Sequence, residues 1–408
     1  MRESISTRWN CSRNVAGFCT LSSLQRRTTR RGDPKLAKDA NTWLTELLLT
    51  VDLEIGGSRP CDPSVNDWAV ATRVLAQGTV GLGEAYVEGL WDCPAVDQLF
   101  DKVISGKLYK KIRPDHRLLA RIAKAKFVNM QSRRNSLKVA ELHYNLGNDF
   151  YEAMLDPWMQ YTCAYWQGGA TTLEQAQEAK LDLVCRKLDL KPGERVLELG
   201  CGWGGFARFA ASRYGVEVVA YNIATEQVAY AREKCQGLPV DIRLSDYRDA
   251  EGTFDKAVSI GMCEHVGTKN YRKFMRLVHD RLRPGGLFLL HTIAGNHVAH
   301  HMEPWLDKYI FPGSVLPAPA NLGAAFDNLF VVEDWHNIGV DYDKTLMAWH
   351  DRFVASWPQF RERYGDPFFR MWSYYLLCCA GTFRSRHNQL FQITLSNGGV
   401  RGGWKAAR

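Results

Sequence analysis

Four glycines, Gly200, Gly202, Gly204 and Gly205, follow Glu198 in the run 196–205 (VLELGCGWGG). Glycine lets a backbone turn tightly and approach a bound molecule closely. The run, with Cys201 inside it, can therefore cradle an adenosine-bearing ligand. Gly200, Gly202 and Gly205 also satisfy the dinucleotide pattern G-x-G-x-x-G, so spacing alone leaves that rival open. Two features favour S-adenosylmethionine. Glu198 stands ahead of G-x-G-x-G, and the bulky Trp203 and Phe206 crowd the following helix start, where a pyrophosphate needs an open anion site. A purely structural turn is the third reading. Elsewhere, Glu264 beside His265, and His291, could move protons; a surface ion pair and a satisfied core histidine are the plain alternatives. Cys163 alone reads as a small buried hydrophobe. Cys379, in 377–381 (LCCAG), invites a nucleophilic role, but no histidine base adjoins it and packing is the simpler account. His297, His300, His301 and Glu303 lack recognised zinc spacing, so no metal site is expected.

The elements that must hold these residues alternate from residue 171 onward. The sequence predicts helices over 173–188, 205–214, 224–235 and 271–281. It predicts strands over 195–199, 216–221, 240–244, 256–260 and 286–291. Such alternation implies an α/β fold with a doubly wound, mostly parallel sheet, in which ligands bind beyond the carboxyl ends of the strands. The glycine run, Glu264 and His291 all fall at such ends. The Glu198 pattern is similar to that of class I methyltransferases, which have a Rossmann-like sheet. Those enzymes usually place an acid after the second strand to grip the ribose. Here Asn222 stands there, and Asn222 with Gln227 could supply those hydrogen bonds. Asp246 and Tyr247, after the third strand, are placed to meet the adenine.

The chain has 408 residues, 46% hydrophobic and 24% charged, enough for two domains. Three parts are expected: 1–34, a basic extension or targeting segment expected to be disordered; 35–135, a smaller, mostly helical N-terminal domain; and 136–408, the catalytic domain. Residues 1–31 carry seven arginines against Glu3; the rest of the chain holds 45 basic and 43 acidic residues, so the net charge of +8 is largely a tail property. Nucleic-acid binding is therefore not expected. The arginine-rich, acid-poor start resembles an organelle transit peptide, although a plain extension is the preferred reading. Eleven cysteines without a C-x-x-C pair fit free thiols in a reducing compartment. No apolar run approaches the roughly 20 residues that span a bilayer. Eleven basic residues from Lys107 to Lys138, against Asp115 alone, include an amphipathic stretch with Leu118, Ile122 and Ala125 on one face and Arg117, Arg121 and Lys124 on another. Such a helix suits an anionic membrane surface, or is simply solvated on its own domain.

Several segments together carry a family likeness: 143–151 (HYNLGNDFY), 156–166 (DPWMQYTCAYW), 199–205, 261–267 (GMCEHVG), 290–293 (LHTI), 305–312 (WLDKYIFP), 334–337 (DWHN), 341–349 and 375–384. In this order they resemble the bacterial cyclopropane-fatty-acyl-phospholipid synthase family, from about residue 40 to the end. The resemblance implies an S-adenosylmethionine-dependent methyltransferase that adds a methylene bridge across a cis double bond of unsaturated phospholipid acyl chains. The alkene attacks the sulfonium methyl, and proton loss from a carbocation or protonated cyclopropane closes the ring, leaving S-adenosylhomocysteine. An alkene is a poor nucleophile, so alignment must carry much of the barrier. The cation needs a base yet must not meet water.

By the same resemblance, bound bicarbonate is that base, held by Cys163, Glu264, His291, the backbone of Ile293 and Tyr342. Cys379 is carried over with them as a further site residue. Tyr161 and Thr162 join Glu198, Gly200, Cys201, Gly202, Gly204, Gly205, Asn222, Gln227, Asp246 and Tyr247 at the cofactor. Tyr161, Tyr165, Trp166 and Tyr309 could stabilise positive charge. The N-terminal domain is expected to bind lipid, the enzyme to sit peripherally on the inner face of the membrane from the cytoplasm, and the chain to form a homodimer. Two other readings remain: a lipid or small-molecule C-methyltransferase leaving a methyl branch, and a lipid-binding protein with a vestigial cofactor site.

Overall fold

The computed structural model describes residues 34–111 and 146–408. The arginine-rich start, the amphipathic stretch 117–125 and the expected boundary near residue 135 lie outside the described residues. The N-terminal part contains α1 (Pro34–Leu49), α2 (Ala69–Gln77), α3 (Thr79–Val87) and α4 (Val96–Ser105), with a short antiparallel ladder between β1 (Ser64–Val65) and β2 (Trp91–Asp92). It is mostly helical, as expected. Among the described residues no helix is long and apolar enough to cross a membrane.

After α5 (Asn148–Met154) and α6 (Leu173–Lys187), an alternating unit follows: β3 (Arg195–Leu199), α7 (Gly205–Tyr214), β4 (Glu217–Asn222), α8 (Thr225–Lys234), β5 (Val240–Leu244) and β6 (Phe254–Ile260). Next come the one-turn α9 (Cys263–Val266), α10 (Tyr271–Arg281), β7 (Leu282–Gly295), α11 (Pro304–Tyr309), α12 (Pro319–Phe326) and β8 (Val331–Asn337). The chain ends with α13 (Val340–Ser356), α14 (Arg361–Arg384) and β9 (Asn388–Ser396). The seven strands lie in the order β5-β4-β3-β6-β7-β9-β8. From β5 to β7 every pairing is parallel, whereas β9 runs antiparallel to both β7 and β8. Val196, Leu197 and Leu199 of β3 are all buried, which a strand covered by helices on both faces requires. Strand order reverses between β3 and its neighbours β4 and β6, so a crevice opens at their carboxyl ends.

The expected parallel strands and their helices fall close to the predicted spans. Two features differ. β7 is 14 residues long, and β8 and β9 are strands that periodicity did not announce. β9 buries Gln389, Gln392, Thr394 and Ser396, so its pattern reads as polar. Two of these groups pair across the sheet: Gln389 Oε1 accepts from Asn337 Nδ2 at 3.0 Å, and Ser396 Oγ donates to Glu333 at 2.5 Å.

The N-terminal helices do not stand apart. Tyr86, Trp91, Val96 and Leu99 share one apolar cluster with Tyr374 and Leu377 of α14 and with Trp349 and Phe353 of α13. A Cβ at Gly381 would stand 2.7 Å from the Asp97 carbonyl, so the backbones of α4 and α14 approach closely. Arg384 reaches Asp97 at 2.6 Å and Asp343 of α13 at 2.9 Å.

Candidate active site

Three chain segments converge on the crevice: the glycine turn after β3, the extended stretch 156–166, and the turn from β6 into α9. Gly200, Gly202 and Gly204 have φ of 84°, 54° and 77°, which L side chains rarely adopt. Gly205 is there for space. A Cβ on it would lie 1.9 Å from the Trp158 carbonyl oxygen and 2.3 Å from the Gln160 side-chain nitrogen. One at Gly200 would meet Met262 at 2.9 Å, and one at Gly261 would meet Thr162 at 2.7 Å. The three segments therefore abut, and they bring Tyr161, Thr162, Cys163 and Glu264 to the glycine turn.

Glu198 is buried, and burial pushes its carboxyl up to about 8, opposed by the Lys180 charge and the Ala207 N–H. Its Oε2 has no partner within the protein. A buried, unfilled acceptor beside a glycine turn fits the ammonium donor of S-adenosylmethionine's amino-acid end, so the residues present suit that molecule. The Cys201 thiol is pushed well up by burial and stays protonated in the turn. Asn222 braces the turn instead of projecting from it: Nδ2 donates to the Gly202 carbonyl at 3.0 Å and to Gln227 Oε1 at 2.9 Å. Its Oδ1 accepts from Ile223 N–H at 2.7 Å. Asp246 is buried and accepts from the Arg248 N–H at 3.0 Å and its guanidinium at 2.8 Å. Tyr247 packs edge-on against Phe274 at 5.5 Å, with burial raising its hydroxyl to about 12.

Glu264, in the first turn of α9, is buried, its carboxyl pushed up to about 7 by desolvation. Oε1 accepts from the Ile293 N–H at 2.6 Å, and Oε2 has no partner in the protein. The exposed ion pair with His265 does not exist: His265 faces Ser314 Oγ at 2.9 Å, and burial lowers it to about 4. His291 pairs with Ile260 in the sheet register and is fully buried, which depresses its pKa well below the usual 6.5, with Lys180 and Lys187 adding to the effect. The Gln392 side-chain nitrogen lies 3.3 Å from Nδ1, while Nε2 is buried without a partner. Donation by Gln392 keeps the proton of the neutral ring on Nε2, leaving an unused donor. Ile293 lies two residues along β7 and so projects to the same face.

α13 and α14 complete the wall. Ala164 N–H donates to Thr345 Oγ1 at 3.1 Å and Trp166 N–H to Asp341 at 3.0 Å, which ties 163–166 to α13. Tyr342 is buried, and desolvation raises its hydroxyl well above 10, with nearby acidic groups such as Glu264 adding to the effect. Cys163 is fully buried with its thiol also pushed well up, so it acts as a neutral group. Cys379 is half-buried on α14. Aromatic faces surround these groups: Tyr342 lies 4.5 Å from Phe383, Tyr161 lies 5.1 Å from Trp349, and the Tyr161 and Tyr375 hydroxyls are 2.9 Å apart. Tyr309 points elsewhere, donating to Glu84 of α3 at 2.7 Å. Glu303 caps α11 through the Leu306 N–H at 2.9 Å, and no metal-ligand cluster occurs among the described residues.

Sequence reasoning missed Gln177 and Lys180, both fully buried on α6 against the 160–162 stretch. Their signal was present: they share the helical face of Leu173, Ala176, Leu181 and Val184.

The sheet order and the glycine turn define a class I S-adenosylmethionine-dependent methyltransferase. The family model described as mycolic acid cyclopropane synthetase matches residues 131–393. The Escherichia coli (strain K12) cyclopropane-fatty-acyl-phospholipid synthase is 47% identical over 89% of this chain and 94% of its own. The tuberculostearic acid methyltransferase UfaA1 of Mycobacterium tuberculosis is 30% identical over 80% of this chain and 81% of its own. The solved mycolic acid cyclopropane synthase CmaA1, complexed with SAH and CTAB, superposes with a TM-score of 0.60 at 30% identity, covering 64% of this chain and 98% of its own. This chain belongs to the mycolic acid cyclopropane synthetase family.

Proposed function

We propose that the protein is a cyclopropane-fatty-acyl-phospholipid synthase, moving the methyl carbon of S-adenosylmethionine onto a cis double bond of an unsaturated phospholipid chain, with bound bicarbonate as base for the proton lost at ring closure. The observation that carries this reading is Glu264, a buried carboxylate with one oxygen on the Ile293 N–H and the other unfilled, set among aromatic rings beside the glycine turn. A group near pKa 7 can share a proton with a bound anion. The Nε2–H of His291 and the hydroxyl of Tyr342 offer donors to anion oxygens, Ile293 fixes the carboxylate, and Cys163 closes the pocket as a neutral thiol. The rings of Tyr161, Tyr342 and Trp349 keep water away and present π faces to positive charge developing on the acyl chain. Cys379 fills the wall behind Tyr342.

The test is mass spectrometry of lipids from a host expressing the protein. A gain of one CH2 that resists hydrogenation is expected. A gain that still takes up hydrogen would favour a second reading, methyl branching, which the name of the 30% identical methyltransferase relative supports.

In this reading the N-terminal part docks on anionic phospholipid at the inner face of the membrane, and the enzyme acts as a homodimer. Lys110 and Lys111, at the end of the described N-terminal part, are exposed. Reversing Lys110, Lys111, Arg117 and Arg121 to Glu should abolish binding to anionic vesicles in a flotation assay, since each cation contributes about 1 kcal/mol near such a surface. Retained binding would move the docking face elsewhere.

A further inference from the structure

We infer that Lys180 is a positioning residue for cofactor binding: its ammonium pins the 160–162 stretch over the glycine turn and sets the charge balance beneath it, an inference that rests on the S-adenosylmethionine reading above. Lys180 has no solvent exposure. Its Nζ donates to Gln160 Oε1 at 2.5 Å and to Thr162 Oγ1 at 2.8 Å. One helical turn earlier, the Gln177 side-chain nitrogen reaches the Thr162 carbonyl at 2.8 Å. The stretch is thus gripped from α6 on one side. On the other it lies hard against Gly205 and Gly261, where any Cβ would collide with it.

A lysine buried in this way is costly, because desolvation penalises the charged form and lowers its pKa to about 8. Asp156, Cys163 and Glu198 are the groups whose charges favour the ammonium. Asp156 is itself committed, accepting from the Trp158 and Gln160 N–H groups at 2.8 and 2.9 Å. The Lys180 charge in turn favours ionised Glu198. The lysine therefore links the height of the stretch carrying Tyr161 and Thr162 to the ionisation of the acid at the turn. A helix that needed only packing would place an apolar residue at this position. The charge is explicable where two side-chain acceptors and one acid must be held in register.

The experiment compares wild type with Lys180→Met and Thr162→Val, measuring S-adenosylhomocysteine affinity by calorimetry, KM for S-adenosylmethionine and for lipid, and the melting temperature. Lys180→Met should weaken S-adenosylhomocysteine and raise KM for S-adenosylmethionine about 10-fold or more, as loss of charge-assisted hydrogen bonds implies, with KM for lipid unchanged. Thr162→Val, which keeps the lysine, should weaken binding about 3-fold. A folded Lys180→Met with wild-type affinity, losing only melting temperature, would overturn the inference. If Lys180→Met does not fold, wild-type affinity in Thr162→Val overturns it. Absence of binding by wild type would instead remove the cofactor reading on which it stands.

Discussion

At the residue scale the site depends on groups kept in unusual protonation states by burial. Glu264 has a folded value near 7 against an ordinary 4.5, and desolvation is the cause. The folded protein therefore holds an extra proton between those values, and stability falls as pH rises from about 4.5 to 7. Glu264→Gln keeps an acceptor for the Ile293 N–H and removes the charge. Urea unfolding at pH 8 should find it more stable than wild type by about 1 to 3 kcal/mol, the difference shrinking toward pH 5. Its turnover should fall about 100-fold with S-adenosylhomocysteine affinity unchanged, as expected for lost proton-transfer assistance. Unchanged turnover would take the carboxylate out of the chemistry. A variant both more stable and less active is the pattern of a site that gives up stability for function.

At the element scale the site is made by close approach of backbones, which predicts where a single methyl group matters. Gly205→Ala places a Cβ 1.9 Å from the Trp158 carbonyl oxygen, and a carbonyl cannot swing aside as a flexible side chain can. The 158–162 stretch must lift off the glycine turn, and calorimetry should find S-adenosylhomocysteine bound at least about 10-fold more weakly, since overpacking of this kind costs about 1 to 3 kcal/mol. Gly323→Ala in α12 meets nothing within 4 Å. It should leave binding unaltered and raise stability by about 0.5 to 1 kcal/mol, as Ala replacing Gly inside a helix does. The elements nearest the cofactor were legible because β3, β4 and β6 carry apolar runs bounded by turns and β5 alternates apolar with charged residues. Glu198 and Glu264 could be placed near strand ends on that basis, whereas His291, expected at a strand end, lies inside β7, opposite the last residue of β6. β8 and β9 were not legible, because their polar runs become strand-like only once Asn337 meets Gln389 and Glu333 meets Ser396 across the finished sheet. Lys180 lies on the apolar face of α6, which marks it as buried, but the Gln160 and Thr162 acceptors that meet its ammonium come from a separate stretch and leave no local sign. α14 is one continuous stretch in which Gly365, with φ of 74°, and Pro367 break the helical path.

At the scale of the whole molecule the N-terminal helices and the catalytic sheet share a core, and that bears on how a lipid-docking part could be joined to a chemical one. Tyr86 stacks obliquely on Tyr374 at 5.3 Å, and α14 carries Tyr375 to the hydroxyl of Tyr161 one residue further on. A helix that touches α3 with one side thus touches the site with another. Arg384 ties Asp97 of α4 to Asp343 of α13. Asp97 is 6% exposed, so removing the guanidinium strands a nearly buried carboxylate. Arg384→Met should lower stability by about 2 kcal/mol, and Arg384→Met with Asp97→Asn should cost less than the sum of the two single changes, because the second removes the charge the first left unpaired. A chain beginning at residue 112 tests the larger claim. It would bare the face of α14 around Tyr374, Leu377 and Gly381, and it should bind a hydrophobic dye and lose cooperative melting. A truncated protein that stayed free of aggregates, melted sharply and bound S-adenosylhomocysteine normally would show instead that the catalytic part folds alone. The shared cluster would then be an interface between independent domains.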